Sequence, residues 1–158
     1  MSSVVSEGII LVAVVVAASM ISFTLINGIN DIQSSTLTST KEIGETIKTS
    51  IKIIHTVNTS ETQFKIWVKN VGSTSIHENE IEKADLYFGK LDEFQIYQYQ
   101  DSGVGWTYTI LEDSATRWTP QSTLEILLTL ESSVTGGDYF VSFTTHNGVK
   151  DDDYFSIG

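Results

Sequence analysis

Residues 8–30 read GIILVAVVVAASMISFTLINGIN, and this run contains no charged side chain between Glu7 and Asp31. A helix rises about 1.5 Å per residue, so a helix of this length can cross a hydrocarbon core of about 30 Å. The residues after it are acidic, rich in Ser and Thr, and alternate in hydrophobicity as strands do. The sequence therefore predicts one hydrophobic N-terminal helix that carries one β domain.

We expect this helix to anchor the chain in a membrane and to assemble with copies of itself. The side chains that we expect to do so are Ile9, Ile10, Leu11, Val14, Val15, Val16, Met20, Ile21, Phe23, Leu25 and Ile29. No Lys or Arg precedes the run, whereas a secretory signal needs a positive n-region and a shorter apolar core. We therefore expect the segment to be retained in the mature protein.

The helix is predicted to continue beyond the apolar run. A thin apolar stripe with roughly helical spacing follows, made of Ile32, Leu37, Ile43 and Ile47. Gly28 and Gly44 are positions where the helix can kink or break. Two interpretations stay open: a stalk whose stripe rests on the domain, or a seam that packs against copies of itself. We predict a membrane-spanning and assembly helix with stalk over 1–50 and a β-sandwich domain over 51–158.

Composition excludes several classes of function. The chain has 158 residues, 9 basic and 20 acidic side chains and a formal charge of −11, and its basic residues do not cluster. Binding to nucleic acid or to anionic lipid through a basic patch is therefore not expected. The chain has no cysteine, so disulfides, thiolate nucleophiles and cysteine-held metal centres are excluded, and the fold depends on its core alone.

From Ile51 onward the hydrophobic period is two. Ile51, Ile53 and Val57 share one face of a first strand, and Phe64, Ile66 and Val68 share one face of a second, after a turn at NTSE. Further strands are predicted over 82–90, 93–100 (with Phe94 and Ile96 inward, and Tyr97 or Tyr99 as a further candidate), 106–113, 122–131, 138–145 and 153–157, with a short extended piece after KNVG. Asn147-Gly148 is a hairpin signal. Seven or eight short strands predict an immunoglobulin-like antiparallel β-sandwich, so the fold class is mainly β.

The sequence offers no catalytic or metal-binding motif. His55, His77 and His146 are far apart, and none belongs to an HxH or HxxxH pair. No nucleophile elbow, phosphate loop or dinucleotide fingerprint is present. Asp151, Asp152 and Asp153 would splay alternately in a strand, so a solvated acidic edge that protects a terminal strand is favoured over a calcium site. We expect no enzymatic activity, no cofactor and no metal.

Aromatic side chains crowd two neighbouring segments and their loop. They are Tyr97, Tyr99, Trp106, Tyr108 and Trp118. Most should be core, but alternation cannot bury all of them, and a surface subset is a candidate interaction patch because Tyr and Trp dominate binding hot spots. Asn58-Thr59-Ser60 is a glycosylation sequon in the first hairpin turn, so Asn58 is a candidate glycan acceptor if the domain is exported.

Three features together resemble a known family: the start SSVVSEGIILVAVVVAASMISF, the KNVGSTSI break after the second strand and the NGV turn near the end. They are similar to the archaellin and archaeal type IV pilin-like superfamily. Within it the chain resembles the archaellum accessory (stator) proteins of the FlaG/FlaF type, and the SEGIILVA start favours the G type.

The resemblance implies a single-pass protein of an archaeal cell membrane, with the sandwich outside the cell. It implies a non-enzymatic part of the motility machinery that anchors or bridges the archaellum to the cell envelope and its S-layer. The implied partners are copies of itself, through helix and sandwich, a related accessory subunit, the S-layer protein and membrane lipid. Two alternatives stay open: a filament-forming archaellin or adhesive pilin-like subunit, and a membrane-tethered ligand- or glycan-binding domain.

Overall fold

The computed structural model describes residues 2–100, 102–111 and 116–158. The N-terminal part is one helix, α1 (Ser2–Lys48). Gly28 and Gly44 lie within α1 and do not interrupt it. The helix ends at Lys48, and the Glu45 carbonyl in its last turn accepts from both the Thr49 N–H at 3.0 Å and the Thr49 hydroxyl at 2.8 Å. The Asn147 side chain in turn donates to the Thr49 hydroxyl over 2.9 Å.

The described residues form two compact units, one up to Ile43 and one from Gly44 onward. The last turn of α1 therefore belongs to the same unit as the strands. Gly72 lies against the backbone of this junction, where a Cβ would stand 2.5 Å from both the Lys48 carbonyl oxygen and the Ser50 nitrogen. The predicted functional division between residues 50 and 51 stays a prediction.

The second unit is a sandwich of two four-stranded antiparallel sheets. The first sheet contains, in spatial order, β1 (Ile51–Ser60), β2 (Gln63–Asn70), β8 (Thr123–Thr129) and β6 (Gly105–Ile110). The second contains β10 (Lys150–Ile157), β9 (Gly137–Thr144), β4 (Asp85–Lys90) and β5 (Glu93–Tyr97). A small pair, β3 (Ile76–His77) and β7 (Arg117–Trp118), and one helical turn, α2 (Glu78–Ile81), complete the described elements.

The predicted fold class is confirmed: a long N-terminal helix precedes an antiparallel β-sandwich. The described chain has ten strands, against the seven or eight expected, because β3 and β7 are two residues long and carry no alternation. The helical turn α2 was not predicted, and it occupies part of the segment before β4. The first hairpin turns at Glu61 and Thr62, so Asn58 belongs to the end of β1.

Alternation correctly predicts the buried face of β2, at the centre of the first sheet. Phe64, Ile66 and Val68 of β2 are fully buried, and every second residue of β8 is buried with them. In β1 the pairing shifts between Ile53 and His55. This irregularity turns Thr56 inward and leaves Val57 half-buried, so the predicted face of β1 holds only for its first half.

The predicted inward positions of Phe94 and Ile96 in β5 are wrong. Leu86 of β4 pairs with Tyr97 and Phe88 pairs with Gln95, and both β4 residues are core. Because directly opposed residues share a face, Tyr97 faces inward and Phe94 and Ile96 face solvent. Some predicted positions lie outside the described residues. They are residue 101 of the predicted turn, residues 112 and 113 of the predicted strand, and residues 114 and 115 of the predicted loop.

Candidate interaction surfaces

The surface of α1 is apolar and uncovered. All of the side chains predicted to anchor or assemble the helix lie on it and are exposed: Ile9, Ile10, Leu11, Val14, Val15, Val16, Met20, Ile21, Phe23, Leu25 and Ile29. By length and composition, the segment from Val5 to Lys48 includes a stretch able to cross a membrane, and that stretch is not buried within the described protein. The role of these side chains in anchoring or assembly stays a prediction.

The three hydroxyl side chains within the apolar run of α1 form hydrogen bonds inside the helix. The hydroxyls of Ser19, Ser22 and Thr24 each donate to the carbonyl four residues earlier, at 2.8, 2.9 and 3.0 Å. A hydroxyl that bonds back to its own helix needs neither water nor a neighbouring chain. The helix therefore carries no cost of unpaired hydroxyls at these positions if it enters hydrocarbon.

The two tryptophans of the predicted aromatic patch are core residues. Trp106 and Trp118 are 0% exposed, and their indole N–H groups donate to the carbonyls of Tyr97 and Ser122, at 3.0 and 3.1 Å. Their large apolar rings and their internal hydrogen-bond partners explain why both tryptophans are buried. Buried side chains cannot contact a partner, so only the three tyrosines of the predicted patch remain candidates for an interaction surface.

Those tyrosines surround Trp106 and are half-buried. Tyr99 packs against Trp106 and Tyr108, with ring centroids 5.4 and 5.7 Å apart, and Tyr97 packs against the core. Burial raises the pKa of Tyr108 well above its usual value, and the carboxylates of Glu78 and Glu82 raise it further. Burial also raises the pKa of Tyr97, with a further contribution from Glu131. These phenols stay neutral at physiological pH, and whether they touch a partner stays a prediction.

A larger aromatic surface, which alternation alone did not identify, lies on the outer face of the second sheet. We call it the aromatic face; it consists of Tyr87, Phe94, Ile96, Phe140 and Tyr154. The YFVSF stretch of β9 contained a signal, because burial of Tyr139, Val141 and Phe143 requires Phe140 to face outward.

One of the three aspartates at the end of the chain, Asp151, joins the two sheets. Asp151 accepts hydrogen bonds from the Lys52 ammonium at 3.0 Å and from the Ile53 N–H at 2.8 Å, both on β1. Asp152 pairs with Lys150 at 3.4 Å on the surface of β10. Across the described ranges, no group of three or more His, Asp or Glu side chains is arranged to hold a metal ion.

His55 lies apart from the other two histidines, whereas His77 and His146, which are distant in sequence, line the same depression. His55 stacks on Trp67 on the outer face of the first sheet, with ring centroids 6.0 Å apart. His146 lies 3.7 Å from the Glu80 carboxylate, beside His77, in a small depression at the end of the sandwich near Thr49. Asn58 is exposed, and its glycosylation stays a prediction.

The architecture defines a class of protein: a single exposed apolar N-terminal helix that carries an antiparallel sandwich with aromatic surface. The chain belongs to the archaeal-type flagellin family, whose family model matches residues 2–155. A relative from Archaeoglobus fulgidus, an uncharacterized protein, is 27% identical over 159 residues, and the match covers 97% of each chain.

The fold is also similar to solved structures of the archaellum. The archaellum periplasmic stator protein FlaG from Sulfolobus acidocaldarius matches with a TM-score of 0.59 and 26% identity, over 68% of this chain and 99% of that one. A chain in the complex of the periplasmic stator proteins FlaF and FlaG from the same organism matches with a TM-score of 0.58 and 25% identity, over 67% and 88%. The predicted resemblance to archaellum accessory proteins of this type is confirmed.

Proposed function

We propose that this protein is a membrane-anchored, stator-type subunit of the archaellum that acts through protein–protein contacts and performs no catalysis. The observation that carries the proposal is the likeness of its fold to FlaG, which extends over 99% of that chain. In this proposal residues 1–50 form the anchor and assembly segment, and the sandwich of residues 51–158 makes the contacts outside the membrane.

The exposed apolar surface of α1 supports the anchor. Uncovered side chains such as Leu11, Met20 and Phe23 would be unfavourable in water, and hydrocarbon or a helix bundle removes them from it. We propose a single pass with the C-terminal sandwich on the extracellular side, where the related protein is described as periplasmic.

One proposed partner is supported by the same comparison. The related structure is a complex of two stator proteins, so a related accessory subunit is the first proposed partner of this chain. Contact with the S-layer protein would transmit force between the archaellum and the cell envelope, and copies of this chain would associate through α1 and through the sandwich.

Gene deletion in the host, with complementation by the full-length chain, tests the function. We expect the deletion strain to stop swimming while filaments are still visible by electron microscopy, because a stator holds a filament that others build. We expect the complementing chain to restore swimming and to be found in the membrane fraction. Swimming that persists in the deletion strain would show the proposal to be wrong.

A filament subunit is the second candidate, and the archaeal-type flagellin model that matches residues 2–155 favours it. In that case the deletion strain would lack a filament, and shearing would release the chain as a bulk component of external fibres. The membrane fraction would then hold only a minor share, so fractionation after shearing separates the two candidates.

A further inference from the structure

The aromatic face is continuous across all four strands of the second sheet. Tyr154 is opposite Phe140, Phe140 is opposite Gly89, and Gly89 is opposite Phe94, so these residues form one row. Ring centroids are 5.2 Å apart for Tyr154 and Phe140 and 5.6 Å apart for Phe140 and Phe94. Phe94 is 52% exposed and Tyr154 is 61% exposed, so the row lies in solvent. Contiguous exposed apolar surface of this kind marks interaction sites.

The border of the aromatic face is acidic. Asp85, Asp138 and Asp152 lie on it, each two residues along its strand from an aromatic member. Lys150 pairs with Asp152 at 3.4 Å, which leaves the border negative. This border therefore favours an opposing surface that carries basic side chains.

A shallow depression of about 280 Å³ within this border has the chemistry that a lysine side chain needs. Leu91 and the Tyr154 ring offer apolar surface to an aliphatic stem. The Asp138 carboxylate, which accepts a hydrogen bond from the Ser156 hydroxyl, offers an anion to the charged head. The aromatic face thus calls for a partner that is apolar at its centre and basic at its border.

The outer face of the first sheet has this composition. We call it the lysine face; it consists of Lys52, Ile54, His55, Lys65, Trp67 and Lys69. At its centre the His55 ring stacks on Trp67, with ring centroids 6.0 Å apart, and Ile54 is 54% exposed beside them. The three lysines surround this centre, so one chain carries both complementary surfaces.

The lysines of this face are incompletely compensated. Lys52 of β1 is directly opposite Lys69 of β2, and like charges in that position destabilise a sheet. Asp151 pairs with Lys52 at 3.0 Å and Glu125 pairs with Lys65 at 2.8 Å, whereas Lys69 has no ion-pair partner among the described residues. Carboxylates placed over the lysine face would relieve the repulsion between Lys52 and Lys69.

Charge decides how two copies can pair. Two aromatic faces placed together would oppose carboxylates to carboxylates, and two lysine faces would oppose ammonium groups to ammonium groups, which is strongly unfavourable. An aromatic face placed on a lysine face opposes unlike charges around two apolar centres. The net charge of −11 repels copies at long range, but salt screens that repulsion beyond about 8–10 Å, so the charges at the contact decide.

We infer that the aromatic face of one copy docks on the lysine face of a second copy. The two faces are the outer faces of the two sheets, so they lie on opposite sides of the sandwich and one copy can use both at once. A head-to-tail contact of this kind joins copies into a row or a ring. This inference rests on the proposed function, because it names the surfaces through which the sandwiches of such a subunit would associate.

The absence of cysteine makes a site-specific test direct. Two full-length chains with different tags, one with Ile96→Cys on the aromatic face and one with Ile54→Cys on the lysine face, are produced together in the deletion strain and treated with a short bis-maleimide. We expect a mixed adduct of twice the 17.5 kDa of the chain that carries both tags, with little of the adducts that carry one tag. Ser133→Cys, in the exposed loop between β8 and β9, replaces either thiol as the control and should give no adduct.

Charge reversal tests the chemistry of the contact. Asp138→Lys in the Ile96→Cys chain, or Lys69→Asp in the Ile54→Cys chain, should lower the mixed yield at least about tenfold, because each places like charges across the contact. The two reversed chains together should recover yield. Asp138→Lys moved to the Ile54→Cys chain is the control for folding. It should leave the yield unchanged, because that chain contributes only its lysine face to the mixed adduct.

Several results would overturn the inference. A dominant adduct that carries one tag would indicate pairing of like faces. An adduct of the Ile96→Cys chain with a different polypeptide, in place of the mixed adduct, would assign the aromatic face to another protein. A mixed yield that neither reversal lowers, or that the paired reversals do not recover, would remove the charge complementarity.

The outcome is separable from that of the proposed function. A charge-dependent mixed adduct in a host whose deletion strain still swims would leave the contact between copies and remove the archaellum role. A deletion strain that loses swimming and regains it with the two thiol-bearing chains, which give no mixed adduct, would leave the role and remove the contact.

Discussion

The Asp151 carboxylate of β10 accepts a hydrogen bond of 2.8 Å from the Ile53 N–H of β1, so a side chain joins the edge strands of the two sheets. Its other oxygen accepts from the Lys52 ammonium at 3.0 Å. An edge strand normally leaves backbone groups unpaired, and here the opposing sheet occupies one of them. The acidic segment at the end of the chain thus closes the sandwich as well as facing solvent.

Asp151→Ala should lower the free energy of unfolding of the full-length chain by about 1–3 kcal/mol, because the Ile53 N–H loses its acceptor in a partly buried position. Lys52→Ala should cost at most about 1 kcal/mol, since the Lys52 ammonium is largely exposed. Urea denaturation followed by the fluorescence of the buried tryptophans measures both. Asp153→Ala is the control, because among the described residues the Asp153 carboxylate accepts only from the neighbouring Tyr154 N–H. Equal losses for Asp151→Ala and Lys52→Ala would contradict the assignment.

Gly89→Ala should destabilise the sandwich by about 1–3 kcal/mol, the usual cost of overpacking. A Cβ at Gly89 would collide with the carbonyl oxygen of Glu93 and with Phe94 Cα, and backbone atoms cannot rotate away. The same urea titration measures the change. Gly28→Ala, in open space on α1, should leave the unfolding of the sandwich unchanged. A Gly89→Ala chain with wild-type stability would show that the backbone of the β4–β5 hairpin can shift at little cost in free energy.

Tyr108→Phe should alter the pH dependence of stability at alkaline pH. The folded chain raises the pKa of Tyr108 above its ordinary value of 10.0, so the fold holds this proton more tightly than the unfolded chain does. The stability is therefore complete below about pH 10 and decreases as the pH rises above it. Urea midpoints between about pH 9 and pH 11 should fall less steeply in Tyr108→Phe than in the wild type. Tyr154→Phe, an exposed phenol, should follow the wild-type curve.

Tyr108→Phe should also be nearly neutral at pH 7. The Tyr108 hydroxyl is enclosed beside the Glu78 carboxylate, whose hydrogen bond contributes to its raised pKa, but the geometry of that bond is poor and the hydroxyl makes no hydrogen bond of good geometry within the described part of the chain. Removing a polar atom that lacks a partner loses no hydrogen bond. A marked loss of stability at neutral pH would show that the hydroxyl is paired in solution.

Val14→Asp should abolish membrane retention of the full-length chain and any oligomer formed through α1. A carboxylate at the centre of a membrane helix costs about 2.5–3.5 kcal/mol on insertion scales, and it is unfavourable in a packed helix seam as well. Fractionation of cells and sedimentation in detergent measure the two effects, with Val14→Leu as the apolar control. Oligomers that persist in Val14→Asp would show that α1 is only an anchor.

The sequence alone determined the helix and the central strands. The uncharged run from Gly8 to Asn30 has one favourable conformation, a long apolar helix. The alternation of β2 places large apolar residues on one face only. In such segments local spacing decides burial, because the opposite register would expose every apolar side chain. The family resemblance also followed from the sequence, through its N-terminal run and its turns.

Only the tertiary structure decided the face of β5 and the role of Asp151. In EFQIYQY both phases of the alternation carry large apolar side chains, Phe94 and Ile96 in one and Tyr97 and Tyr99 in the other. The pairing of β5 with β4 selects between them, because Leu86 and Phe88 already face the core. The contact between Asp151 and Ile53 joins residues 98 positions apart, and no local pattern specifies it. The exposed aromatic face is therefore a product of strand pairing.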